Sequence, residues 1–142
     1  MVVYVREEAE AKEIYAENEQ HLKNFGKHLE SKGLSEKTIK NHLENVSFYI
    51  NDFLCCYDIQ DVKSGCFQID KFLGGWFIRK AMWANCTQIK GMAASIKKFY
   101  AFMLEQKVVE KDDYDELCED IKENMDEWLE NMREFDAIAD NF

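Results

Sequence analysis

The sequence predicts an all-α protein of about five helices packed as one bundle-like domain. Proline, which breaks or kinks helices, is absent from the 142 residues. Apolar side chains recur at spacings of three and four over most of the chain. No stretch alternates polar and apolar residues over more than about four positions, as a half-buried strand would. These three observations favour long helices with one buried face.

The first predicted helix spans about residues 6–31. One stripe of this helix carries Ala11, Tyr15, Leu22, Phe25 and Leu29, with the polar Asn18 on the same stripe. Gly33 is expected to end the helix, because glycine readily adopts the left-handed conformation that follows a helix C-terminus.

Ser35 is the predicted N-cap of a second helix over about residues 36–55, since its hydroxyl can accept from a free backbone N–H of the first turn. The buried face of this helix is predicted to be Ile39, Leu43, Val46, Ile50 and Phe53. Residues 57–66 lose the periodicity and contain the turn pair Ser64–Gly65, which predicts a loop.

A shorter third helix is predicted over about residues 67–80, although it contains the pair Gly74–Gly75. Glycine weakens a helix interior, so either another helix packs closely there or the helix bends. Asn85 and Gln88 resemble a capping box before a fourth helix over about residues 86–105. Its apolar face is Ile89, Ala93, Ile96, Tyr100 and Met103, widened by Met92, Phe99 and Leu104.

Asp112 or Asp113 is predicted to open a fifth helix, which is acidic and amphipathic. Its apolar seam follows a heptad spacing through Cys118, Ile121, Met125, Trp128, Met132, Phe135, Ala139 and Phe142. Two interpretations stay open: the seam docks on its own bundle, or it forms a partner groove or homodimer interface. In the second case the interface residues are Ile121, Met125, Trp128, Met132 and Phe135.

The cysteines and histidines do not predict a metal site or a disulfide framework. The five cysteines (Cys55, Cys56, Cys66, Cys86 and Cys118) are an odd number without a Cys-x-x-Cys pair. Zinc needs about four converging ligands, and the three histidines offer no matching spacing. With no basic leader or long apolar run at the start, we expect a soluble, cytoplasmic chain with reduced thiols. No nucleophile–base pair or phosphate-binding glycine loop predicts an enzyme, and no cofactor is expected.

Two stretches resemble one known module. The first runs from Leu34 to Leu43 and continues through Val46 and residues 49–54. The second is residues 93–104, which include the pair Phe99–Tyr100 followed by a short apolar tail. Together they resemble the N-terminal SAM-like, or core-binding, domain of tyrosine recombinases and phage integrases. The resemblance implies a small helical bundle that clamps one side of duplex DNA, while a separate C-terminal domain cleaves the strand.

The chain departs from this family at two points. Its arginines are Arg6, Arg79 and Arg133, and no histidine has an arginine three residues later, so the family's catalytic residues are not in this sequence. Residues 110–113 replace the Asn-Pro with which family members usually leave the domain, and an acidic helix follows. We therefore expect a non-catalytic core-binding-like domain over residues 1–111 and an acidic helix over 112–142, packed on it or on a partner.

Charge is unevenly distributed along the chain. The net charge of −10 and the pI of about 4.8 exclude a uniformly basic polyanion-binding surface. Residues 21–104 nevertheless hold twelve bases and seven acids, whereas residues 105–142 hold four bases and fifteen acids. Lysines on the basic stretch can contact phosphates, and Thr38 can donate to one. The predicted DNA-binding residues are Lys37, Thr38, Lys40, Lys90, Lys97 and Lys98.

Two functions follow from these observations. The first is a non-catalytic recombinase-like module with weak duplex DNA binding of little sequence preference. The alternative is a protein–protein interaction or homodimerisation module that has lost DNA binding. No membrane or metal partner is expected.

Overall fold

The computed structural model describes residues 2–140, with side chains described from residue 8 onward, and this range is helical without a strand. The all-α prediction is therefore confirmed. The chain divides into two compact units, residues 1–65 and 66–142. The boundary predicted at residues 111–112 falls inside the second unit, and Phe142 of the predicted seam lies outside the described residues.

The first unit begins with two packed helices, α1 (Val2–Ser31) and α2 (Glu36–Ser47). Gly33 takes a φ of +80°, and the α1 C-terminus lies two residues before it, as predicted. The Ser35 hydroxyl accepts from the Thr38 backbone N–H at 3.2 Å, so the predicted N-cap is confirmed. Tyr15, which was predicted to belong to the apolar stripe of α1, is 45% exposed.

The second predicted helix changes geometry after Ser47. Residues Phe48–Phe53 form a π turn instead of continuing the α-helix to residue 55. Asn18, only 1% exposed, donates from Nδ2 to the Ile50 carbonyl at 3.3 Å and to Asn51 Oδ1 at 2.8 Å. The polar residue on the α1 stripe therefore forms buried hydrogen bonds that join α1 to this turn.

Part of the predicted 57–66 loop is helical, contrary to the prediction. Residues Val62–Phe67 form a 3₁₀ helix, with Val62 buried. The Tyr49 hydroxyl donates to the Gly65 carbonyl and ties this segment to the π turn. A single 3₁₀ turn has no 3.6-residue periodicity, so the pattern could not predict it.

The predicted third helix belongs to the second unit and is divided by a second π turn. It consists of α3 (Ile69–Lys71), the π turn Phe72–Trp76 and α4 (Phe77–Lys80). This division gives six α-helical segments over residues 2–140 where five were predicted. A Cβ placed on Gly74 would lie 3.1 Å from Trp128 Cδ1, so the expected close approach of another helix occurs here together with the change in helical geometry.

The two long helices of the second unit are α5 (Cys86–Glu105) and α6 (Lys111–Asp140), which pack against each other. Asn85 Oδ1 accepts from the Gln88 N–H at 2.7 Å and caps α5 as predicted. Helix α6 begins at Lys111, one residue before the first of the two predicted start positions, with both candidate aspartates in its first turn.

Each unit has its own buried side chains. Ile39, Ile50 and Phe53 are buried in the first unit, where Leu43 is half-buried. Ile96, Phe99 and Tyr100 are fully enclosed in the second. Over the described residues, no helix combines the length and the hydropathy needed to cross a membrane.

Candidate functional site

The exposed side of α5 is the strongest candidate site. It carries Lys90, Gly91, Ala94, Lys97, Lys98 and Ala101, all exposed, and we call this set the α5 face. The opposite side of the helix is closed into the unit's core by Ile89, Met92, Ile96, Phe99, Tyr100 and Met103. The helix therefore holds the three lysines on one rigid surface.

The α5 face is cationic and contains no acid. Between Cys86 and Leu104 the sequence has three lysines and neither Asp nor Glu. Lys90 and Lys97 are two turns apart, about 10 Å along the helix axis at 1.5 Å per residue. Among the described residues, the ion pairs are Lys40–Glu44, Lys111–Asp115 and Arg133–Glu130, so the three α5 ammonium groups are not neutralised by a paired carboxylate.

Small residues leave the middle of the α5 face low. A Cβ placed on Gly91 would meet no described atom within 4 Å, so packing within the fold does not require a glycine there. Glycine in an exposed helix interior costs about 1 kcal/mol relative to alanine. With Ala94 and Ala101, Gly91 lets another surface approach the α5 backbone while the lysines reach past it.

The other predicted DNA-binding residues lie in the first unit, at the start of α2. Lys37 and Lys40 are exposed, as is Thr38. The Thr38 hydroxyl accepts from Ser35 Oγ at 3.0 Å, which places it in the helix cap. Lys40 lies 3.9 Å from Glu44, so its charge is partly neutralised locally. This group is weaker as an anion site than the α5 face.

The predicted interface residues on α6 have different surroundings. Trp128 and Met132 are enclosed within the second unit, at 0% and 1% exposure. Ile121 and Met125 are half-buried, and Phe135 is 41% exposed. The seam is thus covered by its own unit in the middle and open near its C-terminal end.

Two polar contacts fix the covered part of α6. The Trp128 indole Nε1 donates to Asp70 Oδ1 at 2.7 Å, and Asn131 Nδ2 donates to the Gly74 carbonyl at 3.0 Å. Both contacts join α6 to the glycine-containing π turn region. Sequence reasoning missed them, because their partners are 57 and 58 residues apart and no local pattern relates them.

Several thiols and phenols are held in their neutral forms. Burial is the main cause that raises the pKa of Cys66 to about 12, and the nearby Asp113 and Glu116 carboxylates add to it. Burial likewise raises the pKa of Tyr114 to about 12, helped by a hydrogen bond with Cys118. In the first unit, burial raises the pKa of Cys55. These groups supply no thiolate or phenolate at neutral pH.

Two further surveys bear on the site. Within the part of the chain that the structure describes, no group of three or more His, Cys, Asp or Glu side chains is arranged to hold a metal ion. The chain matches no known protein-family profile, no curated protein and no solved structure.

Proposed function

We propose that this chain is a non-catalytic helical module that binds the phosphate backbone of duplex DNA through the α5 face. The observation that carries the proposal is the acid-free, exposed face of α5, on which Lys90, Lys97 and Lys98 have no paired carboxylate among the described residues. The resemblance of residues 34–54 and 93–104 to the recombinase core-binding domain supports the same ligand.

Binding of this kind is electrostatic. Each lysine that neutralises a phosphate releases condensed counterions, so the observed affinity falls as salt rises. Three contacts give a slope of about −2.7 in a plot of log binding constant against log salt concentration. Lysine is a compact, hydrated charge and reads no base edge by itself, so binding has little sequence preference.

The acidic helix sets the orientation. Over residues 111–140 the chain holds thirteen acids and three bases, and these carboxylates repel a polyanion. DNA is therefore expected to approach the second unit from the α5 face, with modest affinity. Lys37, Thr38 and Lys40 of the first unit are secondary phosphate contacts in this proposal.

The proposal is tested by duplex titrations of a double variant, Lys90→Gln with Lys97→Gln. Glutamine keeps much of the side-chain length but removes the charge. Fluorescence anisotropy with a duplex of about 20 base pairs should show weaker binding and a salt slope reduced by about 1.8, for two lost contacts. Circular dichroism should be unchanged, because both side chains are exposed.

The matched control is Lys23→Gln with Lys27→Gln, two exposed lysines on α1 that lie outside both lysine groups of the proposed site. It removes the same charge and should leave the slope close to that of the unaltered chain. Equal losses in both double variants would show a diffuse charge effect instead of a site. Absence of duplex binding at low salt would refute the function.

A further inference from the structure

The C-terminal end of α6 extends past the helix that covers its middle. Cys86 Sγ lies 3.8 Å from the Leu129 carbonyl oxygen, so the first residue of α5 is level with this position. Helix α6 continues to Asp140, and every side chain from Arg133 to Asp140 is exposed. Two of these side chains are large and apolar: Phe135 at 41% exposure and Ile138 at 60%.

An open groove of about 220 Å³ lies beside this end of α6. Its walls come from the second π turn with α4 and from α6, and its lining is Gly74, Gly75, Ile78, Arg79, Asn131, Glu134, Phe135 and Ile138. The glycine pair contributes no side chain to the floor, which leaves room for an apolar group. We call this feature the α4–α6 groove.

The two sides of this region carry opposite charges. Arg79 and Lys80 end α4 and are exposed, and neither is in an ion pair among the described residues. The Arg79 guanidinium folds over Gly75, where it would lie 2.9 Å from an added Cβ. The C-terminal turns of α6 carry the exposed carboxylates Glu134, Asp136 and Asp140 beside the two apolar side chains.

We propose that a second copy of this chain docks in the α4–α6 groove. One surface then offers both halves of the contact: a groove edged by Arg79 and Lys80, and a helix end that presents Phe135 and Ile138 with Asp136 and Asp140. A two-fold axis brings each helix end to the other copy's groove and each carboxylate pair to the other copy's cations. This inference is independent of DNA binding by the α5 face.

The contact is small, so the dimer is weak and reversible. Four apolar side chains and a few charged groups cover less surface than the 1,200 Å² or more, approximately, that stable complexes bury. Sedimentation velocity of the full chain from ~10 µM to ~1 mM should therefore show a shift from monomer to dimer. Phe135→Gln with Ile138→Gln should raise the dimer dissociation constant about tenfold or more.

A charge swap tests the occupant directly. In Arg79→Glu, each groove meets the other copy's carboxylates, and in Asp136→Lys with Asp140→Lys, each groove meets the other copy's lysines. Each variant alone should lose self-association by about tenfold or more, because both symmetric contacts become repulsive. An equimolar mixture should recover dimers, because in the mixed dimer both contacts again pair opposite charges.

Lys122→Glu, an exposed charge reversal elsewhere on α6, is the control and should dimerise like the unaltered chain. A chain that stays monomeric over the whole concentration range would overturn the proposal. A dimer insensitive to the Phe135 and Ile138 changes would overturn it too, as would failure of the mixed variants to associate. Growth into species larger than a dimer would contradict the two-fold arrangement.

Discussion

Gly74 and Gly91 both lie in helical segments of the second unit, but the space around them differs. At Gly74 an added Cβ would lie 3.1 Å from Trp128 Cδ1 and 3.2 Å from Asp70 Oδ1. Trp128 is fully enclosed, so its ring has little room to move. At Gly91 an added Cβ would meet no described atom within 4 Å. The same residue type therefore serves packing in one place and leaves an open surface in the other.

Alanine at these two positions should have opposite effects on stability. Gly91→Ala should raise the free energy of unfolding by about 0.5–1 kcal/mol, the gain in helix propensity. Gly74→Ala should lower it by about 1 kcal/mol or more, because the methyl group presses on the Trp128–Asp70 contact. Urea denaturation of the two variants measures both values. Changes of the same sign would contradict this account of the glycines.

Residues that act locally could be predicted from the sequence, and residues that act over long separations could not. Ser35, Asn85 and Gly33 define helix ends through contacts within three or four positions, and all three are confirmed. The role of Asn18 depends on Ile50, which is 32 residues away. Its position on an apolar stripe indicated burial but could not identify its partner.

At the scale of elements, α6 is held by one enclosed aromatic side chain and two directional bonds. Trp128 fills the space over Gly74 and donates to Asp70, while Asn131 binds the Gly74 carbonyl. Heptad spacing predicted the apolar seam, since a helix that packs on others needs such a face. The two π turns were not predicted, because the 3.6-residue pattern is the same on either side of each turn.

Removing the indole N–H should loosen α6. Trp128→Phe keeps an aromatic ring but loses the bond to Asp70 and part of the packed volume, so we expect a loss of about 1–3 kcal/mol of unfolding free energy. Trp83→Phe is the matched control, because Trp83 is 54% exposed and should change stability by less than about 0.5 kcal/mol. Equal effects of the two substitutions in chemical denaturation would refute the anchoring role.

At the scale of the whole molecule, the net charge of −10 conceals an ordered distribution. In the second unit, residues 66–110 hold seven bases and three acids, whereas residues 111–142 hold three bases and thirteen acids. Charge patterning could be predicted from the sequence because it is a property of the chain itself. The division near residue 65 could not, because the connecting segment lacks the Gly-, Ser- or Pro-rich composition that usually indicates a linker.

The most direct test of DNA binding by the α5 face is a map of the contact by NMR. Amide chemical-shift changes should be followed while a duplex of about 20 base pairs is added at low salt. The account predicts that the largest changes cluster at Lys90, Gly91, Ala94, Lys97, Lys98 and Ala101, and that residues 111–140 change little. Changes concentrated on α6, or no changes at any duplex concentration, would contradict it.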